Sequence, residues 1–243
     1  MKEEVAMDYY DLVIWSRNYD DTFERQAERA YDSLVEMSKI EHLVPKYLTA
    51  ASKESAPDFE LTKENLKLLM ESRTDKKFPE IGEEMSFFTS KDDDKICGIS
   101  LSTGKKKELF VNSITINIAF MDLEHNAEKR EQLINLFHKL IEINDAFYGC
   151  VVDNANYSLH DGYYDHTRKL PKSVFWLNFW GEEVINLLPQ KELSLNKIRN
   201  EIYQLEQYEK GYFIRLTETS IFDDEEKISF QKKINKEVGL ELD

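Results

Sequence analysis

The sequence predicts an α+β fold in which helices pack on one face of a mostly antiparallel central sheet. Its strand-like and helix-like segments do not alternate regularly, which disfavours a doubly wound parallel sheet. In the segment 111–120, isoleucines at every second position alternate with polar residues, as in a strand that is buried on one face only. Two long amphipathic segments, 22–40 and 127–143, supply helices that bury this face.

The other elements are placed by periodicity and by capping residues. Asp21 and Glu24 have the spacing of a capping box for the first long helix, and Thr62 caps a shorter second helix. The segment 154–170 is predicted to be a polar, tyrosine-rich loop, and a weaker helical pattern covers 195–208. Runs of β-branched and aromatic residues predict further strands at 8–16, 84–90, 95–102, 148–153 and 212–218.

The length and composition of the chain favour one domain. With 243 residues, 41% of them hydrophobic, the chain can bury a sizeable core. We therefore expect a single domain over residues 1–243. Within it, a strand–helix part (1–75) precedes a sheet-rich core (78–218), and an acidic C-terminal helix (219–243) follows the core.

The segment 170–181 concentrates large aromatic side chains, namely Phe175, Trp176, Phe179 and Trp180. Strict alternation puts Phe175 and Phe179 on one face of a strand, and Trp176 and Trp180 on the other. A strand that is apolar on both faces is either covered on both sides or serves as the partly exposed anchor of an interface. This segment therefore favours packing or recognition over catalysis.

The charge balance is strongly acidic. The chain has 47 acidic and 32 basic residues, for a formal net charge of −15. Such a chain repels phosphate backbones, which disfavours nucleic-acid binding, and it suits either an ordinary acidic cytosolic protein or one with a basic partner. Cys97 and Cys150 stand alone in apolar settings, as in a reducing compartment. Because the sequence shows neither a signal peptide nor a membrane-length apolar run, we expect a cytoplasmic protein without a membrane partner.

The tyrosine-rich loop holds the best candidate for a metal site. His160, Asp161 and His166 lie within seven residues, and imidazole and carboxylate are common metal ligands. The sequence offers no clear further ligands, so a solvated loop that presents tyrosines to a partner is the favoured alternative. No metal or other cofactor is therefore expected.

Two acidic runs are the other candidates for contact with a basic partner. Asp92 to Asp94 can chelate Mg²⁺ but suit a solvated hairpin turn, and Asp223 to Glu226 suit the start of a helix. Together with the loop, the predicted partner-binding residues are Asp92, Asp93, Asp94, Asp161, Tyr163, Tyr164, Asp165, Asp223, Asp224, Glu225 and Glu226.

Sequence motifs for catalysis and nucleotide binding are missing. The chain contains no GxSxG elbow, no GxGxxG and no GxxxxGK[ST] loop, and neither cysteine has a histidine close to it in the sequence. We therefore expect no enzymatic activity and assign no catalytic residue.

Five segments in a fixed order carry a family resemblance. In the first, a strand ends with Trp15 and Arg17, and a helix with Ala27-Glu28-Arg29 follows. The second has Gly82 before a strand. The remaining three are 111–120, 170–181 and 211–218. In this order, over about residues 8–240, the chain resembles the bacterial Immunity protein 52 family of polymorphic toxin systems.

The resemblance implies an antitoxin that binds and neutralises a cognate secreted toxin, often a nuclease, by stoichiometric inhibition. A basic nuclease surface attracts a partner of net charge −15, and aromatic anchors at the centre of the contact supply affinity. Two alternatives stay open, namely a metal-dependent hydrolase that uses the 160–166 loop and a scaffold module of a secretion machine. Homo-oligomerisation stays open as well.

Overall fold

A computed structural model describes residues 9–92, 95–107, 110–119, 121–222 and 224–240 of the chain. Its main feature is a nine-stranded sheet with strand order β10-β11-β9-β6-β1-β5-β4-β3-β2. All pairs of neighbouring strands are antiparallel. The α+β class and the antiparallel sheet are thus confirmed.

The strands of this sheet are numbered in the order in which they occur along the chain. They are β1 (Tyr9–Ser16), β2 (Tyr47–Leu48), β3 (Glu83–Phe88), β4 (Gly98–Thr103), β5 (Asn112–Ala119), β6 (Ala146–Asp153), β9 (Leu177–Gly181), β10 (Gln204–Tyr208) and β11 (Gly211–Arg215). A separate two-stranded ribbon consists of β7 (Tyr164–Asp165) and β8 (Leu170–Pro171). The helices are α1 (Phe23–Met37), α2 (Lys63–Arg73), α3 (Ala127–Asn144), α4 (Asn154–His160), α5 (Glu182–Ile185), α6 (Glu192–Ile198) and α7 (Glu225–Val238).

Helices α1, α2 and α3 cover the first face of the sheet. Leu12 and Ile14 of β1 point into this core, together with Ile116 of β5, Phe137 of α3 and Leu34 of α1. All five side chains are buried, because the apolar stripe of each helix meets the apolar alternation of the strands. This is the helix layer that the periodicity of the sequence predicts.

Helices α4 to α7 cover part of the second face, whereas the sequence predicts helices on one face only. Helices α4 and α5 pack on β6, α5 also packs on β9, and α6 packs on α7. Val13, Cys150 and Trp180 lie in this second core with Ile234 and Val238 of α7. Every residue of β6, β9 and β11 is buried. Because these strands carry apolar side chains on both faces, a helix layer is needed on each side of them.

The sheet therefore has two halves. Strands β6, β9 and β11 form a closed half, which is covered on both faces. Strands β3, β4 and β5 form an open half, in which alternate residues are buried and the residues between them are largely half-buried or exposed. Strand β1 runs along the border between the halves.

The predicted faces of the aromatic segment are corrected at two residues. Trp176 packs in the first core with Phe179, whereas Phe175 packs in the second core with Trp180. Strict alternation fails because the strand begins only at Leu177. Before it, the Asn178 amide accepts a hydrogen bond from the Phe175 N–H (2.9 Å) and donates one to the Phe175 carbonyl (2.9 Å), which closes a local turn.

Three local predictions are also corrected. Thr22, rather than Asp21, caps α1, because its hydroxyl accepts a bond from the Arg25 N–H, while Asp21 pairs with Arg29. A helix is predicted over 195–208, but helix α6 ends at Ile198. The second part of the predicted segment forms strand β10, which pairs with β11 along its full length. The predicted loop over 154–170 begins with helix α4, which Asp153 caps.

None of the helices in the described part of the chain is both long enough and apolar enough to cross a bilayer.

Candidate partner-binding surface

One side of the open half, which the described residues leave partly exposed, forms a surface of short polar side chains that we call the open face. In each of β3, β4 and β5, residues of one parity are buried and those of the other parity point outward. The pairing register aligns Ser86 with Ser100 and Ser100 with Thr115, and the hydroxyls of Ser86 and Ser100 lie 3.0 Å apart. The outward residues that are at least partly exposed are Glu84, Ser86, Phe88, Gly98, Ser100, Ser102, Ser113, Thr115 and Asn117.

A loop borders the open face along β1. We call residues 161–171 the tyrosine loop; the β7–β8 ribbon is part of it. The Tyr163 hydroxyl donates a 2.7 Å hydrogen bond to the Asp11 carboxylate on β1, and Asn117 on β5 donates to the other oxygen of that carboxylate at 3.0 Å. The Tyr148 hydroxyl donates to the Tyr163 carbonyl at 3.1 Å. These bonds fix the loop along the edge of the open face.

Trp15 is the centre of an aromatic cluster at the same border. Its ring centroid lies 5.0 Å from that of Tyr164, 5.2 Å from that of Tyr148 and 5.6 Å from that of His166, which stacks on it. Trp15 is half-buried and pairs across the sheet with Ser113 of the open face. A large ring therefore stands directly beside a row of small hydroxyl side chains.

Arg17 extends this cluster beyond the end of β1. Its guanidinium lies 4.4 Å from the centre of the Phe147 ring and donates two hydrogen bonds to the Glu183 carboxylate, the Nε bond being 3.1 Å long. The paired carboxylate raises the pKa of Arg17, so the guanidinium stays charged. It also donates to the Tyr19 hydroxyl, which in turn donates to the Phe110 carbonyl. The ring contact and the ion pair thus hold the guanidinium in a defined orientation.

Two ion pairs near the rim present their acidic members to solvent, whereas the lysine is the more exposed member of the Lys95–Asp92 and Lys107–Glu80 pairs. Lys105 contacts Glu84 at 3.3 Å, but the lysine side chain is 7% exposed and the glutamate 77%. At the start of the tyrosine loop, Lys172 contacts Asp161 at 3.4 Å, and again the lysine is the more buried partner, at 28% exposed against a fully exposed aspartate. At these two positions the carboxylate is more accessible to a partner than the lysine.

The Asp11 carboxylate, which anchors the tyrosine loop through Tyr163, is destabilised in its charged form by burial. Burial raises the pKa of the Asp11 carboxyl, and the hydrogen bonds from Tyr163 and Asn117 only partly oppose this rise. Burial and the Asp11 carboxylate also raise the pKa of Tyr163, while burial raises the pKa of Tyr164 to about 12. Both tyrosines therefore keep their protons at neutral pH and act as hydrogen-bond donors.

The predicted loop residues are brought together only in part. Tyr163 and Tyr164 lie at the border of the open face, and both are half-buried. Asp161 forms the left-handed cap of α4, with a φ of 52°. Asp165 caps a turn by accepting hydrogen bonds from the N–H groups of Thr167 (2.8 Å) and Arg168 (3.0 Å).

The other predicted acidic residues lie apart from this loop. Asp92 is exposed and lies 3.8 Å from Lys95 beyond the end of β3, while Asp93, Asp94 and Asp223 fall outside the described residues. Asp224 caps α7 by accepting from the N–H groups of Glu226 and Lys227, and Glu225 and Glu226 are exposed in its first turn. The predicted role of Asp224 at a helix start is thus seen in the structure, whereas a role in binding stays a prediction.

The two histidines of the tyrosine-rich segment have different neighbours. His160 lies with its Nε2 3.3 Å from the Gln231 amide oxygen and its ring against Phe175, whereas His166 stacks on Trp15. Within the described ranges, no three His, Cys, Asp or Glu side chains form a group that could hold a metal ion. The metal-dependent hydrolase stays an untested alternative.

The motifs and composition of the sequence predict neither the hydroxyl-rich face nor the aromatic cluster around Trp15. Trp15 and Arg17 are singled out by the family resemblance alone, although tryptophan and arginine are both enriched among the residues that dominate protein–protein contacts. In 111–120 the alternating isoleucines predict the buried face of a strand. Its polar positions, Ser113, Thr115 and Asn117, carry the second signal, because all of them are short and uncharged.

Comparisons with known proteins find a similar fold. No family model matches the chain, and no curated protein matches its sequence. Among solved structures, the fold is similar to that of the Pseudomonas aeruginosa T6SS protein PA0821, where T6SS denotes the type VI secretion system. The TM-score is 0.61 at 11% sequence identity, over 96% of this chain and 72% of that chain. At this identity the similarity concerns the fold, so the resemblance to the Immunity protein 52 family stays a prediction.

Proposed function

We propose that this chain is an immunity protein of a bacterial secretion-associated toxin system, of the Immunity protein 52 type. It binds a cognate toxin in the cytoplasm and neutralises it by occupying its surface, without any chemistry of its own. The fold similarity to a T6SS protein over 96% of the chain supports a secretion-associated role. The ordered resemblance of five sequence segments supports the family.

The observation that carries the proposal is the aromatic cluster beside the open face. Trp, Tyr and Arg side chains dominate the energetics of protein–protein contacts, where they lie in well-packed, largely desolvated positions. Here Trp15, Tyr164 and Arg17 are held by ring contacts and ion pairs, and they remain partly exposed. Such pre-organised anchors lower the entropy cost of association.

The charge of the chain supports a basic target. A net charge of −15 steers association with a positively charged surface and raises the association rate at low ionic strength. A nuclease needs such a surface to hold its substrate. We therefore propose a nuclease as the toxin.

The test is co-expression with the toxin whose gene neighbours this one. Cells that carry both proteins should survive at toxin levels that kill cells with the toxin alone, and the two proteins should co-purify. A catalytically inactivated toxin gives the matched control for binding without lethality. Undiminished killing, with this chain well expressed and folded, would contradict the proposal.

A further inference from the structure

We propose that the open face is the contact surface for the toxin, and that its occupant is a basic toxin segment whose arginine side chains lie on the hydroxyl-bearing strands against the Trp15 cluster. The inference rests on the proposed function and adds where the toxin binds and what it presents. Three independent observations carry it: the side chains of the face, the orientation of two ion pairs near its rim and the position of its aromatic border.

The open face has an unusual composition for a solvated surface. One-third of the chain, 33%, is charged, yet Glu84 is the only charged residue among the exposed outward positions described on β3, β4 and β5. The others are chiefly serine, threonine, asparagine and glycine, with Phe88 at one end. Short side chains lose little conformational entropy when they are covered, and uncharged ones cost less to desolvate. The surface is thus suited to close contact.

Most side chains of the face are small, and they lie in register across the strands. The rows Ser86–Ser100–Thr115 and Ser102–Ser113 cross the strands side by side, at the spacing of a β-sheet. A surface of this kind leaves room for long side chains from a partner. The hydroxyls can accept hydrogen bonds from a guanidinium, whose N–H groups are all donors.

Two ion pairs near the rim, together with the net charge of the chain, favour a cationic occupant. Glu84 and Asp161 point into solvent while the lysines that pair with them lie deeper. A partner cation can reach these carboxylates without displacing a fully exposed lysine. The net charge of −15 adds a long-range attraction for the same cationic partner.

The aromatic border favours arginine over lysine. The rings of Trp15, Tyr164 and His166 stand at the edge of the open face. A guanidinium is planar, stacks on such rings and is more weakly hydrated than an ammonium group, so it combines stacking with hydrogen bonds to the hydroxyls.

The first experiment places a cation on the face. Ser100→Arg puts a long, positively charged side chain at the centre of the contact and should weaken binding of the neighbouring, catalytically inactivated toxin by at least about 30-fold, as expected for disruption of a central anchor. Ser72→Arg is the matched control. Ser72 is an exposed serine on α2, which covers the other face of the sheet, and the control should bind like the wild type. Thermal unfolding of both variants checks that each is folded.

The second experiment does not depend on a disruptive variant. The native thiols of Cys97 and Cys150 are buried, so a thiol introduced by Ser100→Cys is the main site for a maleimide reagent. The inactivated toxin should slow labelling of Ser100→Cys at least about tenfold, while labelling of Ser72→Cys should stay unchanged. Equal labelling of Ser100→Cys with and without bound toxin would overturn the proposed location.

The third experiment addresses the chemistry of the occupant. Modification of toxin arginines with phenylglyoxal should abolish binding, and the complex should protect those arginines from modification. Binding that survives complete arginine modification would overturn the choice of arginine.

These results separate the two proposals. If the wild-type chain does not bind the neighbouring toxin at all, the proposed function fails. If it binds and protects cells but the Ser100 variants behave like the Ser72 controls, the function stands and the open face is not the interface.

Discussion

The closed and open halves of the sheet are both built from antiparallel strands, but they differ in how many of their faces are covered by other elements. In the closed half, Trp180 and Phe179 point to opposite faces and each enters a packed core. In the open half, Ile99 and Leu101 enter the first core, while Ser100 between them stays exposed. The closed half thus contributes to both cores, whereas the open half contributes to the first core only and exposes the face that we propose as the toxin contact.

The largest expected effect follows from removing an aromatic side chain from the closed half. Trp180 is fully buried in the second core, and Trp180→Ala should lower the free energy of unfolding by about 3–5 kcal/mol through lost contacts and a cavity. The corresponding change in the open half, Ser100→Ala, should stay within about 0.5 kcal/mol. Denaturant unfolding of both variants measures the two changes in the free energy of unfolding. Similar losses for the two variants would contradict the difference in packing between the halves.

A smaller contrast is expected at two glycines. A Cβ on Gly211 of β11 would lie 2.4 Å from the Trp180 carbonyl oxygen, so Gly211→Ala should cost about 1–3 kcal/mol through forced backbone shifts. On Gly98 of β4, the nearest atom would be the Asn117 Cβ at 3.8 Å, an ordinary contact. Gly98→Ala should therefore be neutral or stabilising by up to about 1 kcal/mol. A loss at Gly98 as large as that at Gly211 would contradict the assigned packing.

The border between the halves should show a pH effect. Because burial raises the pKa of Asp11 in the folded protein above its ordinary value of 3.8, the folded state takes up a proton at higher pH than the unfolded chain. The contribution of Asp11 to the free energy of unfolding should therefore rise as the pH falls from neutral towards 3.8. Asp11→Asn removes this contribution.

The measurement is the difference in unfolding free energy between wild type and Asp11→Asn, taken at several pH values. The wild type should gain stability relative to the variant on acidification. A relative loss on acidification would mean that the carboxylate is stabilised, rather than strained, beneath Tyr163.

Much of the fold is predictable from local pattern. The alternating isoleucines of β5 and the apolar stripes of α1 and α3 identify elements whose bounds differ from the predicted ones by few residues. The predictions fail where tertiary contacts override local preference. The chain near 204–208 becomes strand β10 because it pairs with β11 along its full length, and nothing in its own composition opposes a helix.

The candidate surface was harder to predict for a physical reason. Tyr163 and Tyr164 were identified because they lie close together in sequence, whereas Trp15, Ser100 and Thr115 come from three separate strands. Only the register of β1, β4 and β5 puts these three side chains on one face. Acidic runs gave a weak signal, since Asp165 and Asp224 are engaged in local caps that any acidic loop or helix start can use.

The most direct test of the central claim is a titration of toxin activity. Increasing amounts of the purified chain are added to a fixed amount of the active neighbouring toxin, at concentrations well above the dissociation constant. If the chain acts by covering the toxin, activity falls linearly and reaches zero near equal molar amounts. Full activity at a large excess, or loss of activity at far less than equimolar amounts, would contradict stoichiometric binding, and the latter result would indicate turnover.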